Sequence, residues 1–569
     1  MSHPDIPQII KNLSLEEKVG AVLTLAFNGT QVTPNILEYV TRYQCGGLRL
    51  TPNIREFGDY IDPETNEVVV NIRNDQYFFK KGIAPPEVTA AEYKATLDEL
   101  QRVARARKSG LPLHFSCDQE GDGTEANCVF KNVKIFPKPM GLRATGEKEM
   151  AYRVALATAR QLRAIGFNYI HSPVLDVSVN PANPEVYNRA FSDDPAVVAE
   201  WAAELCRGYR EGDVIATGKH FPGRGDSAVD AHFKIPEIHA DLETLWERDL
   251  LPYRELIQQG LLPSIMLAHS IFPAIDPDHI ATVSKPVVTG LLREKLGFEG
   301  VITTDSMTMG GLALRHGVPT ACAMSLAAGA DLVLMKAQNH FVGECYQEIM
   351  DWVVSGKIPE AELDTKVERI LNLKAQYGLF EDTPDSGDPE AVGNEAEVVE
   401  LAKEVAVNSL ASLKMSKEAL PLPQDQPILV IEPLYTLSNN AYSYPGMLFH
   451  ACLAHNPNCV YLEVALRADE EDEKRLQTLT QKYDTIVFVS NYGRGVGSNR
   501  KQLEELLRQE GKTVIVVTNT PYGLSIPPEA ENVLLSVGYT KECMQAVADH
   551  LFADGPANGI LPVANSDVL

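Results

Sequence analysis

No apolar run approaches the roughly 18 residues that a membrane span requires, and Met1-Ser2-His3-Pro4-Asp5 offers neither the basic nor the apolar region of a secretory leader. The expectation is an intracellular protein. C-x-x-C pairs are missing as well. The nine cysteines, an odd number scattered from Cys45 to Cys543, suit reduced core thiols better than disulfides or zinc. H-E-x-x-H and EF-hand patterns are absent, and neither a metal nor an organic cofactor is expected. Positive charge is short: 51 Lys and Arg stand against 77 Asp and Glu, for a net charge of -26. That balance argues against nucleic acid or an anionic membrane as the main partner and says little about a neutral substrate.

What is present is a long alternation. The 569 residues exceed one ordinary core. Short apolar runs recur at 21–27, 47–50, 113–117, 169–175, 214–217, 265–268, 301–304 and 332–335. Helical patterns with apolar residues three and four apart lie between them at 92–109, 147–165, 196–210 and 242–259. Eight strands alternating with helices predict a (β/α)8 barrel of the TIM type over 1–380. The capping box Ser14-Leu15-Glu16-Glu17 opens a helix just before the first strand. Pro384-Asp385-Ser386-Gly387-Asp388-Pro389 reads as a linker, followed by a helix at 398–413, so 381–413 is assigned as the connection. Runs at 428–431, 486–489, 514–517 and 533–537, with a helix at 501–510, predict a smaller α/β sandwich over 414–569. The stretch 51–86, polar and aromatic, is either a wall of the barrel mouth or an ordered decoration, and is given no role.

The strand ends are chemically loaded: Asp118 comes after the third, Asp176 after the fourth, Lys219-His220 after the fifth, His269 after the sixth and Asp305 after the seventh. Barrel enzymes carry their catalytic groups at these positions. The densest cluster is Lys219-His220-Phe221-Pro222-Gly223-Arg224-Gly225 with Asp230-Ala231-His232. Charged groups at a buried strand end either satisfy one another or line a site.

Asp305 is placed to act as a carboxylate nucleophile toward an anomeric carbon, or else to cap a helix. His232 titrates near neutrality and suits proton donation to a leaving oxygen, with Asp230 holding one ring nitrogen; the alternative is a solvated loop. Lys219, His220, Arg189 and Asp118 can grip sugar hydroxyls or an amide, or form a buried ion-pair network.

Taken together these residues resemble glycoside hydrolase family 3, in its β-N-acetylglucosaminidase branch. The resemblance is carried by Lys219-His220-Phe221-Pro222-Gly223-x-Gly225 with Asp230-x-His232, by Asp118-Gln119-Glu120-Gly121, and by Ser172-Pro173-Val174-Leu175-Asp176-Val177. Asn188-Arg189-Ala190-Phe191, Ala268-His269-Ser270-Ile271-Phe272-Pro273-Ala274 and Thr304-Asp305-Ser306-Met307 complete it. It spans about residues 10 to 380, with a weaker likeness in Gly538-Tyr539, His550-Leu551-Phe552 and Gly559-Ile560-Leu561-Pro562-Val563.

The resemblance implies a retaining exo-acting enzyme on terminal β-N-acetylglucosaminides, with Asp305 as nucleophile and His232, oriented by Asp230, as acid/base. It also implies that Asp118, Arg189, Lys219 and His220 hold the sugar while Asp176 and His269 support the site. Two departures stand out: Ala231 replaces the usual serine inside the dyad, and Gly121-Asp122-Gly123 lacks an arginine found near the entrance of relatives.

Three rival readings remain. A histidine acid/base need not repel an anion, so an N-acetylglucosaminide phosphorylase is one. A nucleotide-binding protein using Gly493-Arg494-Gly495-Val496-Gly497-Ser498 is another, although the P-loop spacing is missing. The third is a sugar-binding protein that has lost catalysis, against which the retention of Asp305, His232 and Asp230 argues.

Overall fold

The structure is a computed structural model that describes residues 4–51, 60–61, 68–69, 88–122, 133–231, 234–336, 341–381, 386–434, 446–466, 468–493, 497–553 and 555–568. Most of the 51–86 stretch therefore lies outside the described residues, as do His232 and part of the 384–389 linker.

Eight parallel strands close on themselves in sequence order. They are β1 (Leu23–Asn28), β2 (Gly47–Thr51), β3 (His114–Cys117), β4 (Tyr169–Ile170), β5 (Thr217–Phe221), β6 (Ser264–Leu267), β7 (Val301–Thr304) and β8 (Val333–Met335). One ladder runs β8-β1-β2-β3-β4 and another β5-β6-β7. Single bridges join them, Tyr169 to Ile215 and Val174 to Lys219 at one seam and Thr303 to Leu332 at the other. Parallel neighbours need crossovers on the outside, so helices such as Ala90–Arg105, Lys148–Ile165 and Pro195–Glu211 pack apolar faces against the ring. The barrel interior is filled with matched polar pairs as well as aliphatics: the Thr24 hydroxyl meets His114 Nε2 at 2.8 Å, and Tyr169 donates to Ser264 at 2.5 Å. Gly47 is required opposite His114, since a Cβ there would fall 2.1 Å from the ring.

The expected architecture is present, with instructive shifts in the elements. The fifth strand begins at Thr217 rather than ending there, so Lys219 and His220 lie within the ladder. The pairing slips between Lys219 and Phe221, and such an irregularity re-aims side chains at a barrel rim. The fourth run is a ladder over only two residues, because Val174 returns to the sheet as an isolated bridge. The predicted 242–259 helix contains a widened π turn, Leu245–Asp249, before Leu251–Gln258. The Ser14 capping box is present: Ser14 Oγ accepts from the Glu17 N–H at 3.3 Å, and Glu17 accepts from the Ser14 N–H at 2.8 Å.

Beyond the barrel, the helix Ala396–Ser409 is shared between two cores, with Leu401 and Val405 on the barrel side and Ala406 on the other. It stops short of the predicted Leu413, since Ala411–Lys414 forms an edge strand, β9. The later strands are β10 (Ile428–Leu434), β11 (Cys459–Ala465), β12 (Thr485–Ser490), β13 (Thr513–Thr518) and β14 (Val533–Leu535), in the order β9-β14-β13-β12-β10-β11. All pairs are parallel except β9 with β14. Helices Met447–Leu453 and Lys541–Ala553 share a core on one face, while Glu470–Thr480 and Arg500–Leu507 share a core on the other.

This sheet unit leans on the loops at the barrel mouth. Tyr539 donates its N–H to Asp122 at 3.0 Å, Asn188 donates to the Asn519 carbonyl at 3.0 Å, and the Tyr492 hydroxyl donates to the Pro184 carbonyl at 3.1 Å. Of the glycine-rich stretch considered as a phosphate cradle, Tyr492–Gly493 pairs antiparallel with Gly497–Ser498, residues 494–496 lie outside the described residues, and the Tyr492 ring is edge-on to Tyr187 at 5.0 Å. The eight described cysteines are all buried.

Candidate active site

A pocket opens at the C-terminal ends of the barrel strands, lined by Arg49, Asp118, His171, Arg189, Lys219, His220, Arg224, Met266, Asp305, Ser306, Met309, Leu334 and Lys336. Five of the residues predicted for the site thus meet in one cavity: Asp118, Arg189, Lys219, His220 and Asp305. Asp176 and His269 do not line it and sit behind it. Asp230 is buried, at 6 % exposure, one residue before a peptide held by the wall of the pocket. His232 lies outside the described residues.

The floor is a chain of alternating charges. Asp118, at the end of β3, ion-pairs with Arg49, accepts from His171 Nδ1 at 3.0 Å and lies 3.7 Å from Lys219 Nζ. Burial raises the Asp118 carboxyl, but Arg49, Lys219 and the His171 hydrogen bond outweigh it and hold the group well below the usual carboxylate range. Lys219 reaches on to Glu120 at 2.5 Å, and Arg189 grips Glu120 with two bonds of 2.7 and 3.0 Å. Glu120 is likewise held low: burial opposes the shift, but the Arg189 and Lys219 cations prevail. The ion-pair network and the ligand-facing cavity therefore share Arg49, Asp118, His171, Arg189 and Lys219, with Glu120 behind them.

The wall beneath His220 fixes its protonation. Arg224 Nη2 lies 2.7 Å from His220 Nε2, and a guanidinium can only donate. His220 Nε2 must therefore accept, and its Nδ1–H is donated to Asp176 at 2.7 Å. His220 is neutral, with its proton on Nδ1. It stands 3.9 Å from Asp305 Oδ2 as a polar neighbour of that carboxylate and not as its counter-ion. Asp176, wholly buried, also accepts the Arg224 N–H at 2.9 Å. Burial raises its carboxyl above the ordinary value against the pull of Arg224.

Asp305 comes directly after β7 and keeps 19 % of its side chain exposed. Its Oδ1 accepts the Ser306 N–H at 2.7 Å. The helix-cap alternative does not hold, because the next helix starts at Gly310 with Met309 at its cap. His269 buttresses the turn from behind, with Nε2 donating to the Ser306 carbonyl at 3.0 Å and Nδ1 2.7 Å from the Thr282 hydroxyl.

Several lining or supporting groups were given no role by the sequence: Arg49, His171, Lys336 and Glu185 belong to no quoted cluster, while Arg224 and Glu120 stand inside the motifs without an assigned part. Arg49 had a signal, as a lone cation inside an apolar strand, and Lys336 stands immediately after the eighth run. Glu185 had none, since it sits in an aperiodic loop. Among the described residues, five cations (Arg49, Arg189, Lys219, Arg224 and Lys336) and two carboxylates (Asp118 and Asp305) line the pocket, and Glu120, Asp176 and Glu185 pair with three of those groups from behind.

The chain as a whole is similar to known proteins. Residues 15–373 fit the model of the glycosyl hydrolase family 3 N-terminal domain. The chain is 29% identical over 367 residues to beta-hexosaminidase A of Pseudoalteromonas piscicida, covering 61% of this chain and 56% of that protein. It is 31% identical over 372 residues to beta-N-acetylglucosaminidase/beta-glucosidase of Cellulomonas fimi, covering 63% of each. Both matches span less than two thirds of the relative's length. The solved structure of a glycoside hydrolase family 3 beta-N-acetylglucosaminidase from Paenibacillus sp. str. FPU-7 superposes over 98% of this chain and 100% of that one, with a TM-score of 0.84 at 27% identity. A family model that takes in all eight barrel strands and every residue of the pocket leaves one assignment: the chain belongs to glycosyl hydrolase family 3.

Proposed function

We propose that the protein is a retaining, exo-acting β-N-acetylglucosaminidase. The observation that carries this reading is the partly exposed Asp305 carboxylate, which shares one cavity with Asp118, Arg189 and Lys219. A carboxylate at the mouth of a polar pocket can attack an anomeric carbon and form a glycosyl ester. The C–O bond to the leaving group breaks as that oxygen is protonated.

Neutral His220 has no proton on the nitrogen facing Arg224, so it does not supply the acid. His232, two residues after Asp230 in the chain, is the donor, and it then takes a proton from water attacking the ester. Asp118, Arg189 and Lys219 hold the sugar hydroxyls, Asp176 and His269 keep the two walls in register, and no cofactor enters the mechanism. The names of the relatives, beta-hexosaminidase and beta-N-acetylglucosaminidase, support the choice of sugar.

Water is favoured over phosphate as acceptor by the names of the relatives, beta-hexosaminidase A and beta-N-acetylglucosaminidase/beta-glucosidase. The deciding experiment incubates the protein with 4-nitrophenyl N-acetyl-β-glucosaminide with and without phosphate, and maps by peptide mass spectrometry the adduct left by a fluorinated, slowly turned-over analogue. Free N-acetylglucosamine and a label on Asp305 are expected. Sugar 1-phosphate in place of free sugar would reassign the protein as a phosphorylase, and a label elsewhere would remove Asp305 as nucleophile.

A further inference from the structure

Glu185 lies in the loop after β4, 1% exposed, and takes no part in the bond-making and bond-breaking steps at Asp305. Its Oε2 accepts the Ala231 N–H at 3.3 Å, and its Oε1 is 3.0 Å from Arg224 Nη1. Arg224, equally buried, carries the line on to His220 at 2.7 Å, and His220 stands 3.9 Å from Asp305. Asn183 locks the same two segments together, donating to the Arg224 and Gly225 carbonyls at 2.9 and 3.0 Å while accepting the Glu185 N–H at 2.9 Å. One buried carboxylate thus connects the wall beside Asp305 to the peptide that lies between Asp230 and His232 in the chain.

We propose that Glu185 is a positioning residue for proton donation: by holding the Ala231 N–H and Arg224 together, it fixes the loop that bears the acid/base relative to the wall that bears the nucleophile. This rests on the assignment of His232 as proton donor. A buried carboxylate is costly unless each oxygen is occupied. One of its two oxygens is committed to a backbone N–H of a loop from a different strand, which a merely space-filling residue would not need.

The test separates proton donation from general integrity by the leaving group. Glu185→Gln is compared with the wild type on 4-nitrophenyl N-acetyl-β-glucosaminide and an N-acetylglucosamine disaccharide, whose leaving groups span a wide range of basicity. A loss in kcat/KM at least about tenfold larger on the disaccharide, within the usual reach of acid catalysis, is expected. Equal losses on both substrates, or none on either, would overturn the proposal. If E185Q does not fold, Glu185→Asp, which keeps the charge but shortens the reach to the Ala231 N–H, is read the same way. His232→Ala run alongside must show the larger split; if it does not, the donor assignment itself fails, whatever E185Q does.

Discussion

Arg49, inside the second barrel strand, forms an ion pair with Asp118 at the end of the third, and its other terminal nitrogen donates to the Leu50 carbonyl at 2.9 Å. The arginine is 1% exposed, so this pair is a fixed part of the pocket floor and not a surface contact.

Arg49→Met should therefore cost stability. Breaking a buried pair from one side costs about 3–5 kcal/mol, and the His171 and Lys219 contacts that remain on Asp118 bring the expectation to about 2–4 kcal/mol. The pH dependence has a definite sign. A carboxyl held below its unfolded value of about 3.9 contributes stability above that pH and loses it as the pH falls through the folded value. With Arg49 gone, burial raises Asp118, and acid unfolding followed by circular dichroism should begin at higher pH in R49M than in the wild type.

Asp305→Ala addresses the nucleophile. Its carboxylate accepts the Ser306 N–H and stays partly open to solvent, so the fold should tolerate the change while turnover of the nitrophenyl substrate falls by a factor on the order of 10⁴ or more. A melting temperature near that of the wild type, with residual activity close to full, would contradict the assignment.

Gly225→Ala probes the turn of the lysine-histidine loop. A Cβ at this position would fall 1.6 Å from the Val177 carbonyl oxygen, and the backbone around it is pinned by Asn183. Overpacking costs about 1–3 kcal/mol where neighbours can yield, and more where they are backbone. A clear drop in melting temperature together with loss of activity is expected, whereas Gly290→Ala, with nothing within 4 Å and no left-handed backbone, should be nearly silent.

Asp249, at the end of the π turn and 1% exposed, lies under the same loop, with Arg248 at 2.9 Å and Arg248 also reaching Asp226 at 3.1 Å. Burial pushes its carboxyl up to about 6 against the Arg248 contact. A folded value above the unfolded one gives stability that is full below about pH 4 and is lost as the pH rises through 6. Asp249→Asn should therefore gain stability relative to the wild type above pH 6, on the order of 1–3 kcal/mol, and lose that advantage near pH 4. Urea titrations at the two pH values measure the difference directly.

The barrel was legible because short apolar runs with a polar residue at the end of most of them are what a ring buried on both faces imposes on a sequence. The strands that periodicity misses obey other rules. β11 alternates buried and half-buried residues, with Tyr461 and Glu463 on its open side, as suits an edge strand with one neighbour. β9 begins two residues after a helix and carries one buried residue. Within the pocket, residues at strand ends were found, whereas the parts played by those that hold them were not: Arg224, visible only as a member of the charged cluster, and Glu185, not visible at all, act through long-range contacts that have no period. Arg49 was passed over because its neighbours are apolar, although a lone guanidinium in such a run must find a carboxylate somewhere.

Ten charges in and around the pocket are spread over six of the eight strands and the loops that leave them, and the two arcs of the ring are joined at seams where backbone hydrogen bonds such as Thr217 N–H to the Ser172 carbonyl and Thr304 N–H to the Leu332 carbonyl cross. No contiguous stretch of the chain can assemble that array, and each charge left without its opposite would resist being dried. During refolding, catalytic competence should thus emerge late and all at once, making enzymatic activity a reporter of the moment at which the two arcs of the barrel wall meet.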